Sequence, residues 1–99
     1  MTKDQALAIV FRALETLNEE LDPEDRVPVG PDTRLFGSDA VIDSLSLVSV
    51  IVDVEQAVAE ELGVSVSLTD DRAINQEVSP FTTPETLADY IATVANERA

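Results

Sequence analysis

Residues 44 to 62, SLSLVSVIVDVEQAVAEEL, decide the fold class of this chain. Its apolar letters alone are ambiguous. Serines and large aliphatics nearly alternate, and Val and Ile dominate, as they would in a strand. The polar letters resolve it. Ser46, Ser49, Asp53, Gln56 and Glu60 are spaced three, four, three and four apart. That is the 3.6-residue period of a helix and not the two-residue period of a strand. On a helical wheel these five form one solvated face, and Leu47, Ile51, Val54, Val58 and Leu62 form the opposite, buried stripe. Gly63 then ends the helix. The amphipathic pattern outweighs the small propensity penalty of the β-branched residues.

The flanking sequence is helical too. Thr2 and Gln5 fit a capping box at the start of a helix running to about Leu21, in which the Thr side chain bonds the Gln5 amide. Leu7, Val10, Phe11, Leu14, Leu17 and Leu21 follow at helical spacing. Residues 22 to 43 carry three prolines and two glycines, so regular structure breaks there. That loop is longer than the usual connection. Its apolar members, Val27, Val29, Leu35, Phe36, Val41 and Ile42, predict a loop pinned across the core. VSVSL (64 to 68) reads as a short extended linker, and Thr69 can cap a short helix through TDDRAIN. Thr83 followed by Pro84 starts the last helix, which has Leu87, Tyr90, Ile91 and Val94 as its apolar face. The expectation is an all-α fold, one domain over residues 1 to 99. It has three long helices, one short third helix and a long first loop.

Composition narrows the chemistry. Twenty acids against six bases give a formal net charge of −14. Such a chain is repelled by nucleic-acid phosphates and anionic membranes, and its partners should present basic surfaces. There is no Cys and no His, which removes Ser–His and Cys–His nucleophilic arrangements and thiolate or imidazole metal ligands. A Ser–Lys pair would have to use Lys3, the only lysine. Glu60–Glu61 and Asp70–Asp71 read most simply as a solvated face and a helix start. No spacing matches a calcium loop or a phosphate cradle. A catalytic role is not expected; binding, or being acted upon, remains. MTKDQALAIVFRAL lacks the layout of a signal peptide, and no apolar run reaches membrane-spanning length. The expectation is a cytoplasmic protein with no membrane insertion.

Asp43-Ser44-Leu45 falls at the head of the second helix. Asp43 fits an ordinary N-cap, with Ser44 a tolerated first-turn residue. Ser44 can also be a chemical handle, because a first-turn hydroxyl after a loop is open to a modifying enzyme. A phosphate attached there would meet free backbone amides and the positive end of the helix dipole.

DSL at the head of an acidic second helix, after a long loop and within a four-helix pattern, resembles the acyl and peptidyl carrier proteins. The likeness covers nearly the whole chain: the first helix, LFGSDAVIDSLSLVSVIVDVE, TDDRAIN and TPETLADYI come in that family's order and approximate spacing. The resemblance implies that Ser44 carries 4′-phosphopantetheine, transferred from coenzyme A by a phosphopantetheinyl transferase. The prosthetic thiol then holds an acyl group as a thioester, and tethering raises its effective concentration at each partner. It implies a monomer that serves an acyl- or aminoacyl-loading ligase and downstream acyl-transfer enzymes with basic docking surfaces. The family's apolar docking positions fall on Leu45, Val48 and Val52. Asp43 matches the acid beside the modified serine, where it would serve both as cap and in transferase recognition. Val48 and Val52 flank the core stripe, so the pattern admits either core packing or exposure.

The sequence also departs from the fatty-acid type. Ser46 and Ser49 stand where those carriers often have acids, the second helix is about one turn longer, and extra residues surround NQEVSPF. These differences point to a specialised pathway. Two alternatives stay open: an aminoacyl or peptidyl carrier loaded by an adenylating ligase, and an unmodified acidic helical adaptor for a basic partner.

Overall fold

The computed structural model describes residues 1–35, 40–63 and 81–98, with the backbone alone for Ser44, Leu62 and Arg98. Among the described residues every regular element is helical: α1 (Lys3–Glu20), a 3-10 turn (Pro23–Asp25), α2 (Ser44–Leu62) and α3 (Pro84–Arg98). The expected TDDRAIN helix, the VSVSL linker, and Phe36 lie outside the described residues.

Each long helix starts at a side chain that takes up amides its first turn leaves unpaired. Thr2 forms the expected capping box: its hydroxyl accepts from the Gln5 amide at 3.2 Å, and Gln5 Oε1 accepts from the Thr2 amide at 2.9 Å. Asp43 caps α2. Thr83 caps α3 in the same reciprocal way, with Thr86 in the role of the usual Glu or Gln: Thr83 Oγ1 accepts from the Thr86 amide at 3.2 Å, and Thr86 Oγ1 from the Thr83 amide at 3.0 Å. Gly63 ends α2 in the left-handed conformation, φ 70°, with its amide on the Ala59 carbonyl at 2.8 Å. Only glycine adopts that backbone without a Cβ penalty.

The buried faces follow the periodicity, with one shift. On α1 the buried residues are Ala6, Ile9, Val10, Ala13, Leu14 and Leu17. Leu7, Phe11 and Leu21, expected in that stripe, are half-buried. The face is centred on small alanines, because α1 packs against both α2 and α3. Alanine is weakly apolar, so the larger letters draw a pattern reading toward the edge. On α2, Leu47, Ile51, Val54 and Val58 are buried as expected, joined by Val50. On α3, Leu87, Tyr90, Ile91 and Val94 are buried, with Ala88 and Ala95.

The first loop is tied down by specific bonds. The Asn18 side chain grips the Val27 backbone twice, donating to its carbonyl and accepting from its amide, both at 2.9 Å. Buried Thr33 closes the next turn, donating to the Pro28 carbonyl at 2.8 Å and accepting from the Gly30 amide at 3.2 Å. The loop then docks on the head of α3: the Glu85 amide donates to the Pro31 carbonyl at 3.2 Å, and the Leu35 amide to the Thr82 carbonyl at 2.8 Å. Val27 and Leu35 enter the core, while Val29 and Val41 stay exposed. The Val41 amide donates to the Arg34 carbonyl at 2.8 Å, and Ile42 packs partly against the core. These contacts fix where the chain enters α2.

Candidate functional site at the head of α2

Asp43 stands in extended backbone, and its carboxylate accepts from the Ser46 amide at 2.7 Å. Its carbonyl accepts from the Leu47 amide at 3.0 Å, which closes the first turn. The Ser46 amide is the main influence holding the Asp43 carboxyl below its ordinary value; the Ser46 hydroxyl adds to it, slight burial opposes it, and the Leu45 amide contributes least. Asp43 is therefore a charged cap at neutral pH.

Of the amides at this helix end that a phosphate on Ser44 could meet, the Ser46 amide is taken by Asp43. The Asp43 charge also offsets the positive end of the α2 dipole. Covalent attachment itself fits the site. Ser44 is the first residue of α2, and its neighbours Asp43 and Leu45 are both exposed.

Leu45, Val48 and Val52 recur at three and four residues along α2, and they are 78%, 55% and 44% exposed. The choice left open for Val48 and Val52 is thus decided: neither is core. One exposed aliphatic is ordinary on a protein surface, but three in line on one helix form an apolar stripe that the described residues leave uncovered. It begins at the residue after Ser44. Charge enters lower on this helix, with Asp53, Glu60 and Glu61 exposed. Arg12 of α1 pairs with Glu61 at 3.4 Å, and both are solvated.

Two features were not read from the sequence. One is Ser46, whose amide and hydroxyl both support the Asp43 cap; the Asp-x-x-Ser spacing was its available signal. The other is a cleft of about 290 Å³ beside the helix start. Leu21, Val27, Val41 and Ile42 wall it, and Asp25, Asp43 and Ser46 complete its lining. No local pattern could have announced it, since it joins the end of α1, the first loop and the start of α2.

No protein-family model, no curated protein and no solved structure matches this chain. Among the described residues, no helix is long and apolar enough to cross a membrane.

Proposed function

We propose that the chain is a carrier protein whose Ser44 bears 4′-phosphopantetheine and which shuttles an acyl group between enzymes of a specialised biosynthetic pathway. The observation that carries this reading is the stripe of exposed Leu45, Val48 and Val52 leading away from Ser44, at a helix start capped by exposed Asp43. The all-helical frame of described residues is compatible with the expected four-helix carrier, whose short third helix would come from TDDRAIN.

In this reading the Ser44 hydroxyl oxygen attacks the phosphorus of coenzyme A that bears pantetheine. A new phosphate–serine ester forms and the pyrophosphate bond breaks. Adenosine 3′,5′-bisphosphate leaves, and a base on the transferase takes the serine proton. The attached arm supplies a thiol that holds cargo as a thioester. Asp43 orders the first turn and presents a negative charge to the transferase. Leu45, Val48 and Val52 give partners an apolar docking strip, and the acids below it meet basic partner surfaces. The chain does no catalysis itself, works as a monomer in the cytoplasm, and does not engage nucleic acid.

The test is intact-mass measurement after incubation with coenzyme A and a broad-specificity phosphopantetheinyl transferase. The carrier reading requires the gain of one phosphopantetheine, absent in Ser44→Ala. No gain with several active transferases overturns it and leaves the acidic adaptor, which would use the same strip unmodified. Loading the holo form with a ligase and competing fatty and amino acids separates the acyl from the aminoacyl carrier.

A further inference from the structure

We infer that the cleft beside the head of α2 is the resting site of the group tethered to Ser44, and that it accepts a neutral aliphatic acyl chain and rejects a carboxylated one. The inference rests on the carrier reading of Ser44 and adds to it a cargo class and a site.

The occupant follows from position. Val41, Ile42 and Asp43 immediately precede Ser44 in the chain, Ser46 lies two residues beyond it, and all four line the cleft. A group attached at Ser44 is held beside the opening at high effective concentration, so even weak apolar contact fills it. An untethered ligand has no such advantage at so shallow a site.

The class of cargo follows from the lining. Leu21, Val27, Val41 and Ile42 present aliphatic surface, and Ile42 continues into the core. Among the described residues no basic side chain lines the cleft, and the ionisable groups that do are Asp25 and Asp43. The carboxylates of Asp22 and Glu24 lie within 4.8 Å of that of Asp25, which deepens the negative potential at the rim. A cargo ending in its own carboxylate meets like charge from Asp25 and Asp43, whereas a methyl-terminated chain meets none. The cleft measures about 290 Å³.

A second groove, between α1 and α2, is lined by Ile9, Arg12, Ala13 and Glu60 among others. It is larger, at about 330 Å³, but it is lined by none of the residues beside Ser44. It serves as an internal control.

The experiment uses isotope-labelled full chain loaded by a transferase with coenzyme A, octanoyl-coenzyme A or succinyl-coenzyme A, each product checked by intact mass. Octanoyl protons should give NOEs to the Val27, Val41 and Ile42 methyls, with amide shifts at Leu21 and Val27, which are remote from Ser44 in sequence. The succinyl form should match the unacylated form at those positions. Val41→Asp, a change at an exposed residue, should keep the mass gain and lose the NOEs to Val27 and Ile42. A loaded octanoyl form with shifts confined to the residues next to Ser44, or mapping to Ile9 and Ala13, overturns the cleft and leaves the carrier reading standing. Equal shifts from the succinyl form overturn the cargo class. Absence of any mass gain overturns the carrier reading and this inference with it.

Discussion

The Ser46 amide donates to the Asp43 carboxylate at 2.7 Å, bridging over Ser44 from the residues on either side of the Ser44–Leu45 pair. The serine proposed for modification therefore sits inside a closed capping turn. The cap orders the backbone on both sides of that serine.

This bond makes the α2 cap pH-dependent. The folded Asp43 carboxyl titrates below its ordinary value of 3.8. A group with a lowered folded pKa contributes stability that is present above its unfolded value and lost as pH falls through the folded one. Asp43→Ala should be less stable than wild type at neutral pH, and the difference should shrink below the ordinary carboxylate range. Urea midpoints of both proteins from neutral into acid measure it. A gap that stays constant across that range contradicts the cap as the source.

Val48 and Val50 are two residues apart on α2, but one is 55% exposed and the other 1%. Val48→Asp should keep the fold, with a stability change within about 0.5 kcal/mol, and should slow modification of Ser44. Val50→Asp buries an unpaired carboxylate and should unfold the chain. Thermal melts together with transferase rates report both. A folded Val50→Asp would mean that the buried face of α2 is misassigned.

Asn18 holds both polar groups of the Val27 backbone where they are partly buried. Asn18→Ala leaves them unpaired and should cost about 1–3 kcal/mol. Thr16 is a control on the same helix, since its exposed hydroxyl only returns to the Arg12 carbonyl of its own turn. Thr16→Ala should stay within about 0.5 kcal/mol. Equal losses at the two positions in denaturant titrations would remove Asn18 as the anchor of the loop.

Added salt should raise the melting temperature. With a net charge of −14, acid–acid repulsion works against the compact state, and salt screens it. The ion pairs that salt would weaken are few among the described residues and solvated: Lys3 with Glu85 and Asp89, and Arg12 with Glu61. Exposed pairs of that kind add little stability. A melting temperature unmoved by salt would show that self-repulsion is not a significant term.

The three long helices were legible in the sequence because caps and amphipathic periodicity are local properties. Thr2 with Gln5, Asp43, Gly63 and Thr83 with Pro84 mark ends that depend only on nearby backbone. The polar spacing of α2 likewise separates helix from strand with no knowledge of what the helix packs against. Position relative to other elements is not local, and there the letters run out. Whether Val48 and Val52 faced core or solvent depended on where α1 lies, and alanines set the centre of the α1 face because two helices approach it. The anchoring of the first loop through Asn18 and Thr33 joins residues that no periodicity links. The cleft beside Ser44 exists only because Leu21, Val27 and Ser46 converge from three segments. The sequence alone determined where helices start and stop and which serine heads α2; only the tertiary structure decided that the stripe beside that serine is exposed, that its first-turn amide is already occupied, and that an acid-rimmed apolar cleft lies within its reach.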